Sequence, residues 1–289
     1  MLTRVTSTTQ EVLIGDDRPT ALIGERINPT GKKRLAAALE AGDMETVRRE
    51  AIAQVEAGAD IIDVNVGVAG LDQVTLLPRA VQTVMDAVDA PICIDSDNPQ
   101  ALEAALKLYK GKPIINSVTG EERSLAAVLP LVKEYGAAII ALAMDDEGIP
   151  TSADRRVAIT HKIVERAVSI GIPVEDVIVD CLTMTAATDS AAPRTTLETI
   201  RRVKAELGVN MTLGASNVSF GLPDRELVNS AFLTLAIAEG VTCPIVDAAK
   251  VQAVVLATDL LLGRDEYCIR YIRAYKRRKA QAEQAAGPN

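Results

Sequence analysis

The stretch DMETVRREAIAQVEAGADIIDVNVG (residues 43–67) holds one complete structural repeat. Its first part places Met44, Val47, Ala51 and Val55 near the period of an amphipathic helix, and Gly58 supplies a stop. Its second part, ADIIDVNVG (59–67), is a short apolar run of β type that ends in polar residues. A helix feeding a strand in this way is the unit of an α/β fold.

The unit recurs along the chain. Strand-like runs stand at TALIGERI (20–27), ADIIDVNVG (59–67), APICIDSD (90–97), KPIINSV (112–118), AAIIALAMD (137–145), DVIVDCL (176–182), NMTLGASN (210–217) and CPIVDA (243–248). Helical patterns fill the intervals; SLAAVLPLVKEYGAA and RRVAITHKIVERAVSIGIP close at Gly136 and Gly171, and Pro130 predicts a kink or a division in the first. Strands this apolar belong to a sheet covered on both faces, which is a parallel one. Alternating β and α implies right-handed crossovers. Eight repeats in 289 residues predict an α/β protein of the (β/α)8 TIM-barrel type, one domain spanning 1–289. An open doubly wound sheet is the structural alternative. No GxGxxG follows the first strand, and KGKP (110–113) follows a helical pattern and precedes a strand, so neither a dinucleotide fingerprint nor a P-loop is present. EVLIG (11–15), the turn-like DDRP (16–19) and ALIG (21–24) predict a hairpin, so that residues 1–19 plug the bottom of the barrel. The tail KRRKAQAEQAAGPN, residues 276–289, predicts a frayed helix end from about residue 277, its basic run a solvated face.

Composition narrows the function. Aromatic residues make up only 2% of the chain, so Ala, Val, Ile and Leu must build the core. A net charge of −8 argues against nucleic acid, which demands a basic footprint. Cys93, Cys181, Cys243 and Cys268 are far apart with no CxxC pair, which argues against a zinc site and reads as buried small hydrophobes. No window is long and apolar enough for a membrane span and the N-terminus lacks a signal-type apolar core, so a cytoplasmic location is expected.

In such a barrel the C-terminal strand ends carry the site. Read in order they offer Glu25 and Asn28; Asp63 and Asn65; Asp95, Ser96 and Asp97; Asn116 and Ser117; Asp180; Ser216 and Asn217; and Asp247. Asp63 and Asn65 are two apart and share a face. Any one of these residues alone reads as a helix cap or turn former. As a set they form a ring of acceptors and amides without a strong cation. A phosphate ligand would want the opposite. A neutral, nitrogen-rich heterocycle fits: an amino group beside a ring N–H presents two parallel donors to a carboxylate, and amides complete the edge. A pterin has that edge.

The motifs ALIGERINPTGKKRL, AGADIIDVNVG, ICIDSDNPQALEAAL, PIINSVTGE and LGASNVSFGLPDR, in this order, resemble the pterin-binding methyltransferase family. Its members include methyltetrahydrofolate:corrinoid/iron–sulfur protein methyltransferases and the folate domain of cobalamin-dependent methionine synthase. The resemblance spans roughly residues 20 to 275. It implies a dihydropteroate-synthase-like barrel, a homodimer, and tetrahydrofolate or 5-methyltetrahydrofolate bound at the C-terminal mouth. It implies pterin contacts at Asp95, Asn116, Asp180 and Asn217, with Asn28, Asp63 and Asn65 close by and Ser96 and Ser216 in support. Asn217 matches the family's residue at pterin N5, where an amide stays bonded through the reaction by accepting from N5–H or, flipped, donating to the N5 lone pair. The corrinoid (cobalamin) is expected on a separate partner protein. The single histidine, His161, lacks the surrounding D-x-H-x-x-G pattern of a corrinoid-binding domain and reads as an ordinary groove histidine. Two rivals stay open: a dihydropteroate synthase, whose family carries Lys, Arg and His groups around the later strands, and a non-catalytic pterin-binding subunit.

Overall fold

A computed structural model describes residues 1–286. Two antiparallel strands, β1 (Leu2–Thr6) and β2 (Glu11–Gly15), come first. Then follow β3 (Ile23–Ile27), α1 (Lys33–Glu40), α2 (Met44–Glu56), β4 (Ile61–Asn65), α3 (Gln73–Ala87), β5 (Ile92–Asp95), α4 (Pro99–Leu106), β6 (Ile114–Val118) and α5 (Glu122–Tyr135). The second half runs β7 (Ala138–Leu142), α6 (Ala153–Ser169), β8 (Val177–Asp180), α7 (Ala192–Leu207), β9 (Asn210–Thr212), α8 (Arg225–Glu239), β10 (Ile245–Val246), α9 (Ala248–Leu261) and α10 (Ile269–Ala286). Strands β3 to β9 pair in sequence and in parallel, and β10 returns to pair with β3. The remaining seam is closed by a parallel bridge from Gly214 to Ile245, with Ile245 N donating to Leu213 O at 3.0 Å. The expected barrel is therefore formed, and the open-sheet alternative is excluded.

The opening repeat shows why. The Asp43 side chain caps α2, accepting from Glu45 N at 3.0 Å, and Val47 and Ala51 are buried. Gly58 takes φ +97°, a conformation that suits glycine, and turns the chain into β4. Pro130 leaves α5 continuous. His161 on α6 lies 2.8 Å from Glu206 of α7, a contact between outer helices.

The apolar side chains sort by parity into two clusters. Ile23, Ile61, Cys93, Ile114, Ala138, Ile140, Ile178 and Cys243 fill the barrel interior. Ile62, Val64, Ile94, Ile115, Ile139 and Val179 pack outward against the helices. Because side chains alternate along a strand, the interior column continues upward through Asp63 and Asn65, Asp95, Asn116 and Asp180.

The bottom is plugged by the hairpin, with one correction to its pairing. β2 does not pair with residues 21–24. It pairs with β1, with Leu2 opposite Gly15 and Thr6 opposite Glu11, while Ile23 and Gly24 go to the barrel. Barrel closure needs that segment between β10 and β4, so the hairpin takes its other arm from residues 2–6. Val5 and Ile14 enter the interior cluster. Asn210 at the foot of β9 donates to Thr3 Oγ1 and Ile14 O, both at 2.9 Å, which ties the plug to the barrel. The C-terminal residues to Ala286 form regular α10, and 287–289 of the expected frayed tail lie outside the described residues. Among the described residues no helix is long and apolar enough to cross a membrane.

Candidate functional site

Asn65, Asp95 and Asn116 stand in one register row across β4, β5 and β6. Asp63 lies one layer deeper, opposite Cys93, and is only 2% exposed. Asn116 Nδ2 donates diagonally to Asp63 Oδ1 at 3.3 Å. Burial pushes the Asp63 carboxyl well above the usual carboxylate range, and the nearby Asp95 charge adds to it. Asp95 itself is raised to about 6 by burial, against the opposing hydrogen bond from Asn65. Glu25 on β3 is also raised, chiefly by burial.

Asp180 ends β8, across the barrel from β4, and is 7% exposed. Burial raises its carboxyl to about 6, against backbone N–H bonds from Leu182 and Gly214. The Leu182 N–H donates to Oδ1 at 2.7 Å, and Leu182 sits at φ +60°, a strained conformation for a leucine. Arg156 of α6 stabilises this bend from behind. It is 1% exposed and donates to Pro150 O at 2.7 Å, Cys181 O at 3.0 Å and Leu182 O at 2.8 Å. A buried guanidinium satisfied by carbonyls holds the loop in place and faces the back of Asp180.

Other expected site residues shape the loops. Asn28 Oδ1 accepts from Thr30 N at 3.0 Å, and Asn65 Oδ1 from Gly67 N at 2.7 Å, both Asx turns at the rim. Ser96 donates to Gln73 Oε1 at 2.7 Å and accepts from Asn98 N at 3.0 Å, so it braces the β5–α4 loop against α3.

Asn217 and Ser216 do not extend β9, which stops at Thr212. They lie on a 3-10 turn, Ala215–Ser219, at the mouth. The Asn217 side chain is exposed and has no hydrogen-bond partner among the described residues. Arg225, at the start of α8, clamps the turn: its guanidinium donates to Ser216 O at 2.9 Å and Ser219 Oγ at 3.0 Å and lies 5.7 Å from the Phe220 ring centroid. A cavity of about 250 Å³ opens beside this turn, lined by Glu25, Arg26, Ser216, Arg225, Asn229 and Asp247 among others.

The structure thus brings Asp63, Asn65, Asp95 and Asn116 into one linked group, sets Asp180 opposite and places Asn217 on the rim. It adds three arginines, Arg26, Arg156 and Arg225, that the strand-end reading did not single out, although Arg26 lies in the GERIN motif and Arg225 ends the SNVSFGLPDR motif. Among the described residues no cation projects into the interior ring; Arg156 acts on Asp180 only from behind, with its N–H groups spent on backbone carbonyls. Carboxyls buried in this way suit a ligand that supplies N–H donors to them.

This ring has a pH signature. The folded-state values of Asp95 and Asp180, about 6, lie above the ordinary 3.8. The folded protein therefore binds more protons than the unfolded chain between these values. Their contribution to the stability of the free protein is fully favourable below that interval and is lost as pH rises through it. Melting temperatures of the protein and of a D95N/D180N variant should lie closest near or below the ordinary carboxylate value of 3.8, draw apart as pH rises through about 6 and hold that gap above it, with the variant the more stable.

Residues 24–247 match the pterin binding enzyme family. The chain is 34% identical over 274 residues to the methylcorrinoid:tetrahydrofolate methyltransferase of Eubacterium limosum, covering 91% of this chain and 99% of that protein. It is 32% identical over 260 residues to the methionine synthase of Mycobacterium tuberculosis, covering 86% of this chain but 22% of that longer protein. Among solved structures, a Yersinia pestis dihydropteroate synthase with a sulfonamide drug superposes with TM-score 0.71 at 14% identity, covering 90% of this chain and 99% of that one. The Xanthomonas albilineans dihydropteroate synthase with 4-aminobenzoic acid gives TM-score 0.70 at 19% identity, covering 90% and 98%. These structural likenesses concern the fold alone.

Proposed function

The chain belongs to the pterin-binding enzyme family, as a homologue of a one-carbon transferase, and from that premise we propose that it moves a methyl group between N5 of tetrahydrofolate and the cobalt of a corrinoid held by a separate protein. The observation that carries this reading is the ring of buried Asp63, Asp95, Asn116 and Asp180, open to a ligand at the mouth of a barrel that is 34% identical over 91% of its length to a methylcorrinoid:tetrahydrofolate methyltransferase. The dihydropteroate synthases share the architecture at 14–19% identity in the two cases above, which supports a common fold and no more.

In this reading the pterin lies across the mouth. Its amino group and adjacent ring N–H donate to the carboxylate of Asp180, while Asp95 and Asn116 meet the ring from the opposite wall. Asp63 holds Asn116 and Asn65 holds Asp95 in place, and Asn28 lies close by at the rim. Ionised Asp180 and Asp95 are the better acceptors, so folate binding weakens as pH falls through about 6. When methyl leaves the folate, the N5–carbon bond breaks and its electron pair remains on N5. N5 departs as a neutral amine only with a proton, which comes from solvent, and the Asn217 amide accepts from that N–H without delivering the proton itself. In the reverse direction the amide accepts from N5–H while the N5 lone pair takes up the methyl, the N5 proton passes to solvent, and the flipped amide then donates to the lone pair of the methylated product. One site serves both directions; the partner and the overall free energies decide which is used.

Mixing the protein with methylcobalamin and tetrahydrofolate, or with cob(I)alamin and methyltetrahydrofolate, tests this directly. The expected result is loss or gain of the carbon–cobalt absorbance that requires both protein and folate. Failure of both mixtures, and of mixtures containing candidate corrinoid proteins, would leave only a binding module.

A homodimer is part of the same proposal. Leu235 on α8, Leu261 at the end of α9 and Tyr267, Ile269 and Ile272 around the start of α10 are exposed apolar side chains on consecutive, mutually packed elements, Leu261 and Tyr267 being 82% and 81% exposed. A second copy of this face would cover them. Sedimentation should show a dimer for the protein and a monomer for L261E/Y267E; a wild-type monomer would end this part of the reading.

A further inference from the structure

We propose that Arg156 and Thr196 are positioning residues for the folate: through the bend at Leu182 they hold the Asp180 carboxylate in line with the pterin edge, an inference that rests on the folate reading above. Both stand on outer helices, Arg156 on α6 and Thr196 on α7, and both side chains are buried. They meet at one carbonyl. Arg156 Nη1 donates to Leu182 O at 2.8 Å, and the Thr196 hydroxyl donates to the same oxygen at 3.0 Å. Arg156 Nη1 also reaches the Thr196 hydroxyl at 3.2 Å and Cys181 O at 3.0 Å, so α6, α7 and the end of β8 are joined at one point. With its carbonyl held there, Leu182 gives its N–H to Asp180 Oδ1 at 2.7 Å.

The bend costs the fold stability. Leu182 stands at φ +60°, strained for a leucine. The next residue, Thr183, buries a hydroxyl that has no hydrogen-bond partner among the described residues. Two unfavourable features flank one oriented carboxylate, and what they gain is the orientation of that group. A helix-to-helix contact would need neither of them.

The same contacts favour the ionised acceptor. Burial pushes the Asp180 carboxyl up, while the Leu182 and Gly214 N–H groups and the Arg156 charge push it down, which leaves it at about 6. The other ionisable groups beside it, Cys181 on its own strand and Cys243 ahead of β10, are thiols raised by burial and neutral at pH 7. A lysine at position 156 keeps the charge but replaces a guanidinium that reaches Pro150, Cys181, Leu182 and Thr196 together with one ammonium. Valine at position 196 removes one bond to Leu182 O and keeps the side-chain shape.

Tetrahydrofolate affinity, measured by calorimetry in R156K and T196V and again with each combined with D180N, tests the proposal. At pH 7.5 R156K should weaken binding about tenfold and T196V about threefold. Combined with D180N, each should add less than about twofold, because the carboxylate through which both act is gone. In both single variants a loosened Leu182 N–H offsets less of the burial of Asp180, so the loss of affinity on acidification should begin at higher pH than in the wild type. Losses of equal size with and without D180N, or an unmoved pH profile, give the two residues a purely structural role and overturn the proposal while the folate reading stands. Wild-type affinity in folded R156K and T196V overturns it too. If R156K does not fold, T196V carries the same readouts. A wild-type protein that binds no tetrahydrofolate removes the folate reading and this inference together.

Discussion

Asn217→Ala is expected to lower methyl transfer by about 10²- to 10³-fold while tetrahydrofolate affinity changes only a few-fold. The asymmetry follows from where Asn217 sits. It stands on the exposed turn Ala215–Ser219, outside the interior ring that would hold the pterin edge, and its side chain has no partner among the described residues in the free protein. It therefore adds little to ground-state binding. Its bond to N5–H gains strength as N5 acquires a proton, so its loss is felt in the transition state. Asn217→Asp should be almost as slow at neutral pH: a carboxylate accepts from N5–H but cannot donate when N5 is unprotonated. Single-turnover transfer beside equilibrium folate binding separates the terms. Unchanged transfer with intact binding in Asn217→Ala would falsify the assignment.

Asp180→Asn is expected to weaken folate binding by about a hundredfold. One side-chain oxygen still accepts from Leu182 N–H, so the loop geometry survives. The amide then faces the ligand's N–H donors with an N–H of its own, and the paired bonds are lost. Because a neutral amide replaces a carboxyl raised to about 6 by burial, the free protein should melt no lower than the wild type at neutral pH. Weak binding together with a preserved melting temperature separates a ligand contact from structural damage. An affinity within threefold of the wild type would remove Asp180 from the pterin edge.

Particular residues show how much could be read in advance. Asp63 and Asn65 share a face by period two, and strand ends at the barrel mouth carry sites, so both were legible in ADIIDVNVG. The link of Asp63 to Asn116 was not, because it passes over the intervening strand β5 and depends on register. Arg156 lies in a helical pattern that gives no hint of burial; the strained bend at Leu182 and its free carbonyls exist only once β8 has closed into the barrel. Asn217 was legible as a motif residue but not as a turn residue, because the apolar run through Leu213 continues past the point where β9 stops pairing. The hairpin was legible as a plug and misassigned in one arm, since residues 21–24 suit either a hairpin or a barrel strand and closure alone chooses between them.

By itself the sequence determined the order of elements, the parallel barrel, the placement of Asp and Asn at the strand ends and the kinship with pterin-binding enzymes. These rest on periodicity, capping and short motifs, which act over a few residues. Only the tertiary structure decided which carboxyls are desolvated, how Arg156 and Arg225 hold the loops, and how β1 rather than residues 21–24 completes the plug. Those outcomes depend on contacts between residues often more than a hundred positions apart, such as Thr3 with Asn210, and such contacts exist only after the barrel has closed.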